Sequence, residues 1–318
     1  MRKIISLVLC LIMIISCIPA MAEEAAAVKT GLSFTTNLTS SKDGQAQANV
    51  SITAVTVDDN GVITQCVIDV IQGKVKFDET GKITSDKAAE VSSKQELKDG
   101  YNMRGASSIK AEWFEQANAF AAYCVGKTAE QLQAIALNEQ GQAVDIVASC
   151  TLTADEFLPG VLDAVAKAEH KGAKAGDVLK LTQVSNISCS KDATAEAAGL
   201  AQVNTHVGMF TLNGDVITTA YIDAVQAKVN FSAEGKITSD LTAPVLTKNE
   251  LKDGYNMRNA SPIKAEWFEQ TTSFCAFITG KTLNDAIAIA ANPAETDVIA
   301  TCTIKVNDFL KVIVKAGL

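Results

Sequence analysis

The sequence is poor in the residues and motifs on which several large classes of protein depend. It has two histidines, no Cys-x-x-C pair, and no Gly-x-Ser-x-Gly, Walker or Gly-x-Gly-x-x-Gly fingerprint. These absences argue against a His-based triad, a zinc ribbon, a thioredoxin-type pair and nucleotide triphosphate binding. Lysine and arginine number 28 against 36 acidic residues, so the net charge is −8. Without a basic field, we expect no nucleic-acid partner.

Long hydrophobic runs are also scarce, and the clearest one lies at the N-terminus. Residues 1–22 combine basic residues at positions 2 and 3, an apolar stretch over Ile4–Ile18 that is short for a bilayer span, and small residues. The pattern predicts a signal peptide and an exported, extracellular or cell-surface protein. Cleavage after Ala22 is favoured, and cleavage before Cys17 with a lipid anchor on that cysteine stays open.

The rest of the chain contains an internal repeat of two similar units. The peptide IKAEWFEQ occurs at 109–116 and again at 263–270, and the flanking peptides GKITSD and KDGYNMR recur at the same spacing. A Lys-, Ala- and Gly-rich stretch without a counterpart is expected to be a linker over 169–176. The prediction is two domains, unit one over 30–168 and unit two over 177–318, each able to fold alone.

Within each unit, strand patterns come before helical patterns. β-branched runs over 46–57 and 62–70 flank Asn60-Gly61, a strong hairpin signal that unit two repeats with Asn213-Gly214. Apolar residues at helical spacing follow from Ile109 onward. The predicted fold class is α+β, a tandem repeat of two similar domains, each an antiparallel β meander packed with helices.

Three further elements are expected to close unit one. Thr128 with Gln131 three residues later is typical of a capping box and predicts a helix. A strand is predicted over 144–152, and a last helix is predicted to begin near Thr153.

Four cysteines fall at nearly equivalent places in the two units. Cys124 and Cys150 lie in unit one, and Cys275 and Cys302 lie in unit two. Export would permit a helix-to-strand disulfide in each unit. Buried free thiols are the open alternative.

The segment before each Trp-containing helix concentrates residues that could bind an anion. Pro262 suits the first position of a helix, which makes Ser261, and by alignment Ser107, the expected N-cap. A helix N-terminus with free N–H groups can bind a phosphate. The same segments carry four copied cations, which are Arg104, Lys110, Arg258 and Lys264. Alternatively, the serines bind no ligand and only cap a helix.

The run Gly105-Ala106-Ser107 resembles the flavin-attachment segment of FMN-binding domains, whose pattern is Ser/Thr-Gly-Ala-Ser/Thr. Unit two has Asn259-Ala260-Ser261 in the same place, and Arg104 stands where the pattern has Ser or Thr. Two such units behind an export signal are similar to the exported two-domain flavoproteins that Gram-positive bacteria use for extracellular electron transfer. Because Asn259 replaces Gly105, we expect fuller flavin loading in unit one.

The resemblance implies a redox carrier rather than a classical enzyme. FMN would be held at the helix starts, covalently through Ser107 and Ser261, and loaded by a flavin transferase. It would pass electrons from a membrane quinol chain to extracellular acceptors. Residues that could border the flavin ring are Tyr101, Met103, Tyr255 and Met257, beside Trp113 and Trp267. The alternative is a cofactor-free surface or substrate-binding module built from two repeats.

Overall fold

Two antiparallel sheets form the centre of the protein. A computed structural model describes residues 25–318, so the predicted signal peptide and Cys17 lie outside the described residues. The strands are β1 (Ala27–Asn37), β2 (Gln45–Val57), β3 (Ile63–Lys76), β4 (Glu169–Lys174), β5 (Val178–Asn186), β6 (Gly199–Asn213) and β7 (Val216–Phe231). The first sheet has the order β3-β2-β1-β4, and the second has the order β5-β6-β7.

Eight α-helices lie within residues 25–318. They are α1 (Lys94–Leu97), α2 (Trp113–Cys124), α3 (Ala129–Gln133), α4 (Ala154–Ala166), α5 (Lys248–Leu251), α6 (Trp267–Ile278), α7 (Leu283–Ala291) and α8 (Asn307–Ala316). Short 3-10 turns occupy Lys98–Tyr101, Val144–Ile146, Lys252–Tyr255, Pro293–Glu295 and Asp297–Ala300. The α+β class predicted from the sequence is confirmed. Across the described part of the chain, no helix is long and apolar enough to span a bilayer.

The two predicted hairpins are present at their Asn-Gly pairs. Gly61 has φ 79° and Gly214 has φ 61°, a left-handed conformation that glycine adopts without steric cost. The β2–β3 register pairs Val57 with Ile63, and the β6–β7 register pairs Asn213 with Val216. The turn residues therefore set the strand register.

The layers run helices, sheet, sheet, helices. On the outer face of the first sheet, Trp113 of α2 packs against Phe157 of α4. On the outer face of the second sheet, Trp267 of α6 packs against Phe309 of α8. Each of these four side chains is at least 96% buried, and burying a large apolar side chain of this kind contributes about 1.5–3 kcal/mol.

The inner faces of the two sheets pack against each other, which joins the two halves of the chain. The rings of Phe77 and Phe231 stack with centroids 3.9 Å apart and planes within 5°. Phe34 and Ile52 of the first sheet share a buried cluster with Met209 of the second. The stretch predicted to be a linker over 169–176 is mostly a strand, because six of its residues form β4, which pairs with β1. The two halves share buried clusters between the sheets, which argues against independently folding halves.

We expect residues 25–168 expressed alone to unfold without a cooperative thermal transition. Removing the second sheet exposes Phe34, Ile52 and Phe77 to water, and those apolar contacts are lost. Calorimetry and binding of a hydrophobic dye would measure this. A cooperative melt without dye binding would show that the shared core contributes little.

The strand predicted over 144–152 is also wrong. Val144–Ile146 is a 3-10 turn, and Val144 and Val147 are 48% and 37% exposed. β-branched residues favour strands only where a neighbouring strand can pair and pack with them. No described strand flanks this segment, which lies between α3 and α4. The helix predicted from Thr128 is present as α3, with its capping box intact.

Candidate functional site

Each Trp-containing helix begins at its tryptophan, later than the sequence predicts. Glu112 is the N-cap of α2 and Glu266 is the N-cap of α6, each in a capping box with the glutamate three residues on. Lys110 and Lys264 have φ values of 55° and 52°, which interrupt any helix begun earlier. The prediction that Ser107 and Ser261 cap these helices is therefore wrong.

The two serines are buried parts of a hydrogen-bond network. Ser107 Oγ accepts a hydrogen bond from Gln116 Nε2 at 3.1 Å, and Ser261 Oγ accepts one from Gln270 Nε2 at 3.0 Å. The serines are 7% and 4% exposed. Gln116 Oε1 in turn accepts from the backbone N–H of Thr151 at 2.8 Å. A phosphate ester on either Oγ would have to displace this network, so covalent attachment does not fit these positions.

A carboxylate already occupies the backbone donors that a phosphate would use. Glu112 is 2% exposed and accepts hydrogen bonds from the N–H groups of Met103 and Arg104, both at 2.8 Å. Glu266 repeats this arrangement with Met257 at 2.9 Å and Arg258 at 2.8 Å. A second anion at this point would meet a buried negative charge.

The copied cations of the segment are bound to acidic or carbonyl groups. Arg104 lies 2.6 Å from Asp99 and 3.0 Å from Glu115, and Arg258 makes the same pairs with Asp253 and Glu269. Lys110 Nζ donates to the Gly105 carbonyl at 3.4 Å and Lys264 Nζ to the Asn259 carbonyl at 3.2 Å.

Gly105 and Ala106, with Asn259 and Ala260, lie in the turn that precedes these helices. Gly105 lacks a positive φ, and a Cβ added there would meet nothing within 4 Å. The glycine therefore confers no special conformation. The expected preference of flavin for unit one loses its physical basis.

Part of the predicted set does meet at a cavity in unit two. Tyr255, Met257 and Ala260 line a space of about 520 Å³, together with Lys228 and Lys248. The cavity lies beside α5 and the turn that follows it. Its volume is within the range of small-molecule sites.

Lys248 is the unusual residue of this cavity. It is 8% exposed, and its ammonium lies 4.8 Å from the ring centroid of Tyr255 and 4.9 Å from that of Trp267. Among residues 25–318, no carboxylate lies within 4.0 Å of it. Burial lowers the pKa of Lys248 to about 8, against the opposing effect of the more distant Asp223 and Asp308. At pH 7 the cavity therefore contains a buried cation without an ion-pair partner.

The corresponding lysine of unit one is neutralised. Lys94 lies over Tyr101 and Trp113 in the same way, at 4.8 and 4.7 Å. Its ammonium is 3.5 Å from Glu156 Oε1, which also accepts a 2.7 Å hydrogen bond from Trp113 Nε1. The ring contacts of the lysine are the same in the two units, and the carboxylate of Glu156 is what distinguishes unit one from unit two.

Unit two has a shorter carboxylate at the position of Glu156. The neighbouring matches of Cys150 with Cys302 and of Phe157 with Phe309 place Asp308 there. Asp308 Oδ2 lies 3.4 Å from Nδ1 of His206. Burial lowers the pKa of His206 to about 4, so its ring is neutral at pH 7. One methylene less moves the carboxylate away from Lys248.

The cysteines are free thiols, so the predicted disulfides are not formed. Cys124, Cys150, Cys275 and Cys302 are all buried. A hydrogen bond with Cys124 and burial together raise the pKa of the Cys66 thiol well above its usual value. Burial raises the pKa of Cys275 to about 12. Such thiols are unreactive at neutral pH because the thiolate is the reactive form.

We expect Cys189 to be alkylated first in the native protein, because it is the exposed thiol of the described chain. Peptide mass spectrometry after brief maleimide treatment would measure this. The four buried thiols should react after denaturation without any reductant. Recovery of a peptide linking Cys275 to Cys302 would contradict the free-thiol structure.

The two buried lysines were missed from the sequence. Lys94 and Lys248 precede the repeated KDGYNMR peptide in the matched strings SKQELKDGY and TKNELKDGY. Extending the repeat upstream would have pointed to them. The described residues contain no group of three or more His, Cys, Asp or Glu arranged to hold a metal.

Comparison with known proteins adds no relative. No family model matches the chain, and no match is found among curated proteins or among solved structures. Any function must therefore be argued from the geometry of the site.

Proposed function

We propose that this protein is a flavin-binding electron carrier, with FMN held in the unit-two cavity. One observation carries the proposal: Lys248 is a buried cation without a carboxylate partner, at a cavity whose wall includes an aromatic ring and a thioether. An anionic ligand would supply the missing charge. Its binding would be strengthened by the low dielectric around the lysine.

The lining residues fit a phosphate-bearing ring compound. Lys228 and Lys248 would hold the phosphate, and Tyr255 and Met257 would contact the ring by stacking and sulfur–aromatic contact. Trp267 and Tyr255 hold the Lys248 ammonium between two ring faces and exclude water from it. When bound, the flavin would supply the redox chemistry, and the protein would supply binding and electrostatics.

This proposal differs from attachment at the serines. Ser107 and Ser261 are assigned a structural role because their oxygens are buried and hydrogen-bonded to Gln116 and Gln270. A flavin transferase is then not required. Export, a membrane quinol donor and extracellular acceptors remain part of the proposal through the resemblance stated above. The arrangement of the chain as two similar domains is likewise part of it.

A cofactor-free binding module is the second candidate, and a specific observation favours it. The repeated segment uses its copied polar groups internally, since Glu112 and Glu266 accept backbone N–H groups and the arginines are paired. In that case, the repeat is a folding element and the cavity takes another anion.

Purification of the full chain, with and without a coexpressed flavin transferase, tests the proposal. We expect colourless or partly loaded protein that turns yellow with added FMN and releases all flavin on denaturation. Riboflavin, which lacks the phosphate, should bind at least tenfold more weakly, because a hydrogen bond to a charged group contributes about 1.5–3 kcal/mol. Equal binding of both, or binding of neither, would favour the cofactor-free module.

Colour that survives denaturation would contradict the noncovalent site. Ser107→Ala and Ser261→Ala would then identify the attached peptide. Under the proposal, both variants keep FMN binding and lose about 1–3 kcal/mol of unfolding free energy, because the amide of the partner glutamine loses a buried acceptor.

A further inference from the structure

A second cavity of about 450 Å³ lies in unit two between α6 and the edge strand β7. None of its lining residues lines the cavity around Lys248. Its wall is mainly apolar and includes Ala220, Ile222 and Ala276, with Cys275 behind. Lys171 and Tyr221 are among the polar residues at this wall that have no counterpart of the same kind in unit one.

Tyr221 brings a hydroxyl proton that is not used within the described chain. Its oxygen accepts a 2.9 Å hydrogen bond from Asn249 Nδ2, and no described residue accepts the hydroxyl proton. Burial raises the pKa of Tyr221 well above its usual value, so the hydroxyl stays protonated. Tyr221 is therefore available as a hydrogen-bond donor and not as an anion.

Lys171 brings a positive charge from β4, the strand that occupies the predicted linker. Its ammonium lies 5.0 Å from the Tyr221 ring centroid and 3.4 Å from Glu169 Oε2. The Glu169 side chain is 72% exposed. An ion pair of this kind contributes little in water, so a ligand anion can share or replace the glutamate.

The matching position in unit one is spanned by side chains. Gln95, the counterpart of Asn249, donates from Nε2 to the Ile68 carbonyl and to Asn118 Oδ1, both at 2.9 Å, and so bridges β3 to α2. The counterparts of Ala220 and Tyr221 are Cys66 and Val67. Unit two thus has a shorter amide, Asn249, and a smaller strand residue, Ala220, at the place where Gln95 bridges β3 and α2 in unit one.

We infer that this cavity binds a small aromatic monocarboxylate, with the carboxylate accepting from the Tyr221 hydroxyl and the Lys171 ammonium and the ring among Ala220, Ile222 and Ala276. The apolar wall accounts for the ring, and two adjacent donors, one of them charged, account for an anionic acceptor group. The inference goes beyond the proposed flavin site and does not depend on it.

Titration of the full chain with benzoate tests the inference, with benzyl alcohol as the neutral ligand of similar shape. Calorimetry should show benzoate binding at least tenfold more tightly than benzyl alcohol. Tyr221→Phe and Lys171→Met should each weaken benzoate binding about tenfold or more, and each should change the affinity for benzyl alcohol much less. Equal affinity for the two ligands, no detectable benzoate binding, or benzoate affinity unchanged in both variants would overturn it.

A matched pair of variants locates the ligand. Ala276→Leu should fill the cavity and abolish benzoate binding, whereas Ala122→Leu, at the corresponding exposed position of α2, should leave it unchanged. Equal effects of the two changes would overturn the assigned location. FMN titration of the same variants separates the two sites, because Lys248 and Tyr255 are untouched by these changes.

Discussion

Raising the pH from 4 to 8 is expected to lower the unfolding free energy of the wild-type protein by several kcal/mol more than that of an Asp69→Asn, Asp223→Asn double variant. These two aspartates occupy matching positions on β3 and β7 and are 7% and 3% exposed. Each accepts backbone N–H groups from its own strand and from the following short helix.

The sign follows from burial. Desolvation raises the pKa of Asp69 to about 6 and that of Asp223 to about 7, against the opposing effect of the hydrogen bonds. The folded protein therefore keeps both protons at pH values where the unfolded chain has released them. Their stabilising effect is fully present below pH 3.8 and is lost as the pH rises through 6 to 7.

The magnitude is large because the shifts are large. A pKa shift of one unit corresponds to about 1.4 kcal/mol, so these shifts give roughly 3 kcal/mol for Asp69 and roughly 4 kcal/mol for Asp223. Urea unfolding at several pH values would measure the difference between wild type and variant. Asp215→Asn, at an exposed hairpin position, is the control and should keep the wild-type pH dependence. A double variant with the wild-type slope would contradict ionisation of these buried carboxyls.

The second large effect is expected from exchanging the carboxylates that distinguish the two units. Asp308→Glu combined with His206→Ser gives unit two the carboxylate of unit one and Ser51, the residue that unit one has at the strand position matching His206. The longer carboxylate should then reach Lys248, as Glu156 reaches Lys94 at 3.5 Å. FMN affinity should fall about 10- to 100-fold, because the ligand loses its uncompensated charge partner.

The reciprocal change should create a site. Glu156→Gln keeps an acceptor for Trp113 Nε1 and removes the charge that pairs with Lys94. Fluorescence titration with FMN should then show a second binding event. A wild-type binding curve for both exchanged proteins would mean that the carboxylate does not control the site.

The sequence specified local structure well where one residue decides the conformation. The Asn60-Gly61 and Asn213-Gly214 pairs predicted both hairpins, because a positive φ is a local requirement. The edge strand β4 was not predicted, because only Ala173 among its six residues is fully buried and no alternating pattern arises. The shared core was missed because the sequence does not show which apolar sheet faces pack against each other.

The candidate site was predicted in part for similar reasons. Tyr255, Met257 and Ala260 were identified because they stand in a repeated peptide, and they do line a cavity. The helix start was misplaced because Pro262 suggests a first turn, whereas Lys264 at φ 52° ends that turn and Glu266 caps a helix that begins at Trp267. The side chains of Glu156 and Asp308 differ by one methylene. That this difference leaves Lys248 without a carboxylate partner is visible only in the structure.

The most direct test of the account is the stoichiometry of FMN binding to the full chain by equilibrium dialysis, with Lys94→Gln and Lys248→Gln as matched variants. Both lysines lie between a tyrosine and a tryptophan ring, so the two changes remove similar contacts. We expect one FMN per chain in the wild type and in Lys94→Gln, and loss of binding in Lys248→Gln. Two FMN per chain, or equal effects of the two changes, would contradict it.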